Sequence, residues 1–291
     1  MTIAGGNNRG NELNQLRSPS GVYVDDDDQC VYIADHHNHR IVKWEHDAKR
    51  GEVVAGGNEE ESETNQLNFP TQVIVDRKSH SLIVCDQGNR RVIQCSLRNR
   101  TNVQTLISDI DCCGLTMDNN GDLYVSDAEK NEVRRWKIGK KEGTVVAGGN
   151  GKGNKLNQLN SPASLYVDRD QTVYVSDQNN HRVMKWTKDA REGTVVAGGQ
   201  GKGNDFTQLC YPKGLAVDHL DNVYVADSEN HRLLAWPKGF KEGRLIIGGS
   251  KYGYRAHEFH CPMSVLFDRH GRLYVTDLSN HRIQRFDIDL S

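Results

Sequence analysis

Val173-Tyr174-Val175-Ser176-Asp177, Gln178-Asn179-Asn180-His181 and Arg182-Val183-Met184-Lys185-Trp186 follow one another without a break. The first and third pieces are short runs rich in Val and Tyr, and the middle one holds the Asn residues that tight turns favour. Together they read as two strands joined by a turn. Ser164-Leu165-Tyr166-Val167-Asp168 precedes them and Thr194-Val195-Val196-Ala197-Gly198-Gly199 follows, which makes four strands, a to d. No helical period lasts long enough to compete.

The unit recurs. Its second run ends in Asp35, Asp86, Asp127, Asp177, Asp227 and Asp277, at spacings of 51, 41, 50, 50 and 50. Nine residues after each Asp stands Trp44, Cys95, Trp136, Trp186, Trp236 or Phe286. Four-stranded units repeating every 40–50 residues, with strands a and b apolar on both faces, specify the blades of a propeller. The expected fold is all-β, a six-bladed β-propeller of four-stranded antiparallel blades. The sixth strand c has no strand d after it; Thr2-Ile3-Ala4-Gly5-Gly6 supplies one from the other end. That strand, 2–6, is expected to pair into the C-terminal blade and close the ring, removing two exposed sheet edges.

The expected organisation is one domain over 1–291. Its blades are expected at 18–57, 69–107, 112–149, 161–199, 211–249 and 261–290. Blade three departs from the pattern. The run Val103-Gln104-Thr105-Leu106-Ile107 in the connection before it stands as its strand d without Ala-Gly-Gly, and Cys112 replaces the leading Pro. Its turn reads Lys130-Asn131-Glu132.

The turns Asn38-His39-Arg40, Asn180-His181-Arg182, Asn230-His231-Arg232 and Asn280-His281-Arg282 resemble the NHL repeat. So do Tyr174 to Asp177, Tyr224 to Asp227, Tyr274 to Asp277, and the leading segments Pro19-Ser20-Gly21 and Pro212-Lys213-Gly214. The resemblance spans essentially the whole chain. It implies the propeller fold and leaves function open, because function lives in sites grafted on a fold. Proteins with such repeats include tripartite-motif ubiquitin ligases that bind RNA or protein, and a metal-dependent lyase acting on peptidylglycine-derived substrates. In that lyase, as the resemblance has it, His residues after the leading Pro of several blades converge on a metal. Here those channel-mouth positions hold Ser20, Thr71, Cys113, Ala163, Lys213 and Met263, with no His among them. No catalytic residue, metal site or cofactor is assigned, and an enzyme acting at the channel mouth, a lyase or hydrolase, is the disfavoured reading.

The bland readings take most of the repeated residues. Four copies of Asp-x-x-Asn-His-Arg around a ring cannot converge on one substrate. Asp and Asn set the turn, Arg pairs with the Asp of its own or the neighbouring blade, and His39, His181, His231 and His281 brace the scaffold. The Trp residues are core. Gly149-Asn150-Gly151-Lys152-Gly153-Asn154 and Gly199-Gln200-Gly201-Lys202-Gly203-Asn204 lack the Gly-Lys-Ser/Thr and the helix of a phosphate loop, so they are turns. His36-His37 and His257-x-x-His260 are the local His clusters, neither at a channel-lining position.

What differs between blades carries more. Connections d to a and b to c lie on one face, here called upper. The linker into blade two holds Glu59, Glu60, Glu61 and Glu63. Those into blades four to six hold Lys152, Lys155, Lys202, Lys251 and Arg255, with Lys213 just after the leading Pro. Phe206, Tyr211, Tyr252, Tyr254, Phe259, His257 and His260 interleave with them. Cations beside exposed rings suit a peptide or protein partner, and equally single-stranded RNA. The alternative is that Phe206 and Phe259 pack under the loops, as Leu13, Leu16, Leu156 and Leu159 are expected to.

The chain of 291 residues has Lys+Arg 37 against Asp+Glu 39, net charge −2, which argues against attraction of its whole surface to nucleic acid or anionic membrane. No apolar stretch reaches bilayer length, and Met1-Thr2-Ile3-Ala4-Gly5-Gly6 is no signal peptide. Seven irregularly spaced cysteines suggest neither a disulfide framework nor a zinc site, and lean towards reduced thiols and a cytoplasmic setting. The expected molecule is a non-catalytic, monomeric recognition scaffold, a module of a larger chain, binding a protein or peptide through the loops of blades four to six.

Overall fold

A computed structural model describes residues 1–27, 29–57, 65–99, 102–249 and 251–288. The fold is an all-β six-bladed propeller of four-stranded antiparallel blades. The chain divides into two compact units, Met1–Ile110 with Met263–Ser291, and Asp111–Pro262. In the first unit, blade one runs Pro19–Asp25, Cys30–Asp35, Arg40–Glu45 and Glu52–Gly56; blade two runs Pro70–Asp76, Ser81–Asp86, Arg91–Ser96 and Val103–Ser108. Blade six is Pro262–Phe267, Arg272–Asp277 and Arg282–Asp287, and its fourth strand is Thr2–Gly5. Thr2 faces Gln284 and Ala4 faces Ile283 across that pair, so the N-terminal strand completes the last blade as its sequence foretells. Val103–Ser108 pairs with Arg91–Ser96 and is therefore strand d of blade two, not of blade three.

The second unit holds blade three (Cys112–Met117, Leu123–Asp127, Glu132–Trp136, Thr144–Gly148), blade four (Pro162–Val167, Val173–Asp177, Arg182–Trp186, Thr194–Gly198) and blade five (Pro212–Val217, Val223–Asp227, Arg232–Trp236, Arg244–Gly248). Strands b of these three blades are buried along their whole length, as a sheet packed on both faces requires. The ring or thiol nine residues after each Asp is buried, so the aromatic repeat is core. Trp236 packs with Tyr174 of blade four and with Leu209 of the linker into blade five; Trp186 packs with Tyr124 and Leu159.

The turn after strand b explains the repeat chemically. Asp177 Oδ1 accepts the Asn160 N–H at 2.7 Å, and its Oδ2 accepts Asn180 Nδ2 at 2.8 Å and Arg182 Nε at 2.7 Å. Asp35 does the same with Arg17 N–H, Asn38 and Arg40, and Asp227 with Cys210 N–H, Asn230 and Arg232. The Arg therefore pairs with the Asp of its own blade. Its remaining nitrogens reach the preceding linker: Arg182 donates to the carbonyls of Asn154 (2.9 Å), Lys155 (3.0 Å) and Gln158 (3.2 Å), while Asn180 donates to that of Gly153 (2.8 Å). The glycine-rich linkers are thus held by their own backbone oxygens. Gly198, at φ +66, ends strand d where a Cβ would stand 2.7 Å from the His181 carbonyl oxygen, which accounts for the Gly of Ala-Gly-Gly.

The His of the turn sits in the left-handed region, with His181 at φ 53. Its Nδ1 accepts the N–H of the residue that leads the next blade: Phe69 on His39, Tyr211 on His181, Cys261 on His231 and Ser18 on His281, at 3.1–3.3 Å. In blade three Asn131 Oδ1 takes this part, accepting Ser161 N–H at 2.8 Å. Ala at position 181 leaves that N–H without its acceptor, about 1–3 kcal/mol, while the left-handed cost of a Cβ there is one that His181 already bears. Asn tolerates the conformation and supplies the acceptor. Denaturant unfolding should therefore rank His181→Asn close to wild type and His181→Ala well below it; equal losses would contradict the acceptor role.

Candidate functional site

The linkers into blades four, five and six belong to one unit and keep one register, so the same backbone places carry different chemistry. Lys152 forms a bridge with Leu159, and Lys202 with Leu209. Tyr252 stands fifty residues beyond Lys202, Arg255 fifty beyond Asp205, and Phe259 fifty beyond Leu209. The residue that plugs the linker from below is fully buried in each copy: Leu159, Leu209 and Phe259. The one three places earlier is not: Leu156 is 43 % exposed and Phe206 49 %. Phe259 and Leu16 therefore pack under the loops, whereas Phe206, Leu13 and Leu156 do not.

Two ring clusters form above this floor. Tyr211 lies edge-on against His181, ring centroids 4.7 Å apart, and the Lys202 ammonium sits 4.8 Å from its centroid. In the next linker, Tyr252 stacks on His260 at 4.7 Å and 23°, and His231 meets both edge-on at 5.6 and 5.9 Å. Tyr252 is 67 % exposed and Tyr254 80 %. Lys251, Arg255 and His257 are exposed on the same linker. Phe206 lies 5.9 Å from the Arg232 guanidinium. The structure thus brings Lys202 to Tyr211 and Tyr252 to His260. It also gives His181 and His231 a second role that the sequence reading assigned only to bracing: their rings form the sides of the clusters. The fifty-residue register was the signal that pointed there. Burial, then the charge of Lys202, holds the His181 imidazole below its ordinary value.

Lys213 differs from the other cations. It is half-buried, its Nζ donates to Gln178 Oε1 at 2.7 Å, and burial lowers its pKa. Cys113 in the same unit has its thiol pushed up to about 12 by burial. Ala163 is buried there too, whereas in the other unit Ser20 is buried and Thr71 and Met263 are half-buried. Cys85 and Cys112 are each in a disulfide, which the irregular cysteine spacing did not signal. Glu59, Glu60, Glu61 and Glu63 lie outside the described residues. Among the described residues, no group of three or more His, Cys, Asp or Glu is placed to hold a metal ion, and no helix is long and apolar enough to cross a membrane.

His36 and His37 do not form a site of their own; with His39 they surround the Phe69 ring at 4.6–5.6 Å, and His36 Nδ1 lies 3.1 Å from the Pro70 carbonyl oxygen.

Residues 16–44, 159–186 and 209–236 match the NHL repeat. No curated protein matches the chain in sequence. Solved structures share its fold at low identity. An auxiliary nutrient binding protein from Bacteroides thetaiotaomicron is 16 % identical with TM-score 0.74, the match covering 98 % of this chain and 75 % of that one. A gluconolactonase from Xanthomonas campestris is 14 % identical with TM-score 0.66, covering 94 % and 87 %. A virginiamycin B lyase from Staphylococcus aureus, solved with quinupristin, is 14 % identical with TM-score 0.58, covering 96 % and 87 %.

The His36 environment sets a pH signature. Burial first, then the charges of His37 and His39, lower its pKa to about 4, against the opposing pull of the Pro70 carbonyl. The unfolded imidazole takes up its proton near 6.5 and the folded one does not. This contribution is whole above pH 6.5 and lost as pH falls towards 4. The melting temperature of the wild type should drop through that window more than that of His36→Gln; parallel pH profiles would contradict the assignment.

Proposed function

Because this chain belongs to the NHL-repeat propellers, we propose that it is a non-catalytic recognition scaffold that binds a protein or peptide partner through the linkers into blades four to six. The observation that carries the reading is the exposure of Tyr252 and Tyr254 on the linker that also exposes Lys251 and Arg255, its backbone closed by the Gly253 N–H to Phe259 oxygen bond at 3.0 Å, with Lys202 exposed on the preceding linker that Arg232 holds. Exposed rings set on a rigid frame lose little conformational freedom on binding, and cations around them steer an acidic partner. Propellers of like fold include a binding protein and enzymes, so the fold itself decides neither. The non-catalytic reading rests on Lys213, whose amine is tied to a side-chain amide, and on Cys113, whose thiol stays protonated at neutral pH.

Lys202→Glu, Lys251→Glu and Arg255→Glu combined leave every described ion pair and the core intact. Partners captured by the wild type and identified by mass spectrometry should bind this variant at least about tenfold more weakly, with the melting temperature unchanged. Undiminished affinity would remove the site. A stacked Tyr252–His260 pair beside cations also suits single-stranded RNA. A polyuridine 12-mer whose affinity falls steeply with salt would replace the peptide reading with that one.

A further inference from the structure

A groove of about 600 Å³ opens between blades four and five, and Gln200 and Thr207 of the linker into blade five form part of its lining. Its walls are the outer strand Thr194–Gly198 and the connection after Trp236. Two repeat-equivalent grooves are smaller: about 450 Å³ beside Trp186 and about 250 Å³ beside Trp44. The smallest shows what a closed version looks like, because there the Trp44 indole donates to the Ala48 carbonyl at 2.9 Å. The turn after Trp236 closes in the same way, Phe240 N–H to Pro237 oxygen at 3.0 Å against Ala48 N–H to Glu45 oxygen at 3.1 Å. Yet the Trp236 indole N–H is buried with no hydrogen-bond partner among the described residues. Trp236 is 1 % exposed, and its ring lines the groove. A buried donor left unsatisfied costs about 1–3 kcal/mol; the N–H itself is closed off behind the wall, and it marks Trp236 as the indole that the groove beside it has not satisfied from within the chain.

The rest of the groove states what would fill it. Lys185, Lys238 and Lys241 line it against the single carboxylate of Asp221. Asp221 is already engaged by Lys238 at 2.7 Å, and Lys185 sits 5.1 Å from the Tyr174 ring centroid. Phe240 is 60 % exposed and Val195 41 %. Among the described residues, Thr194–Gly198 is hydrogen-bonded on one side only, to Arg182–Trp186, so its outer edge offers main-chain partners to an added strand.

We propose that this groove is a second binding site, which takes an extended acidic peptide alongside Thr194–Gly198, its carboxylates over Lys185 and Lys241 and its chain passing the wall that Trp236 backs. Alternation of acidic and apolar side chains is the matching pattern, since successive residues of a strand face opposite ways. The site shares no residue with Lys202, Lys251, Arg255, Tyr252 or Tyr254, and stands or falls apart from the loop reading.

The probe is a capped hexapeptide of alternating Glu and Val, with the Lys–Val counterpart as control. The readout is the tryptophan indole resonances in a proton–nitrogen correlation spectrum, with Trp236 assigned through Trp236→Phe. The Glu–Val peptide should move the Trp236 indole resonance saturably and leave that of Trp44 in place. Lys185→Glu and the exposed Lys241→Glu should each weaken binding at least about tenfold, roughly one charge pair lost. The Lys202, Lys251, Arg255 triple variant should bind as the wild type does. A missing or non-saturating Trp236 shift, equal binding of the Lys–Val peptide, indifference to Lys241→Glu, or loss of the shift in the triple variant would each overturn the proposal.

Discussion

One buried carboxylate organises each regular blade. Asp227 takes a linker N–H on one oxygen, then an Asn amide and an Arg on the other, and the Arg passes its remaining donors to linker carbonyls at Asn204, Asp205 and Gln208. Such a pair is no simple source of stability. Burial pushes the Asp227 carboxyl up against the combined pull of Asn230, the Cys210 N–H and Arg232. Desolvation of that kind often cancels the Coulombic gain, whereas removal of one partner costs roughly 3–5 kcal/mol. The cluster's value is positional: it fixes the strand b–c turn, the linker into that blade and the spacing between them.

Because the linker is held by its backbone, its side chains are released from structural duty. Lys152, Lys202 and Tyr252 occupy one place in three successive linkers, and so do Leu156, Phe206 and Ala256. The first set moves from ammonium to exposed phenol without disturbing the fold. The plugs Leu159, Leu209 and Phe259 vary only within apolar types, as full burial demands. The His of the turn belongs to both regimes. His231 Nδ1 holds the Cys261 N–H while its ring borders Tyr252 and His260.

The blades were legible in the sequence because an Asp and a buried ring nine residues apart recur with strand-length apolar runs between them. The N-terminal strand was legible by its Ala-Gly-Gly, whose first Gly needs a left-handed φ. Strand Val103–Ser108 was harder, since its last turn lacks that signature and Asp109 carries the positive φ instead. The fifty-residue register sets Phe259 at the place of Leu159 and Leu209 and Phe206 at that of Leu156, but only packing against the strand beneath decides which place is covered. Lys213 read as a surface cation because the amide of Gln178, thirty-five residues away, is invisible to local pattern. The orphaned Trp236 indole was equally hidden, because Glu45-His46-Asp47-Ala48 and Pro237-Lys238-Gly239-Phe240 close like turns and nothing in either says which gives its indole an acceptor.

The central claim is that the guanidinium, more than the charge, holds each linker in place. Arg232→Lys keeps an ammonium beside Asp227 but cannot span the carbonyls of Asn204, Asp205 and Gln208. Amide hydrogen exchange measures the outcome by segment. Protection should fall across residues 199–209 while strands Val223–Asp227 and Arg232–Trp236 keep theirs. Unchanged protection of that linker, or an equal loss throughout the blade, would contradict the account.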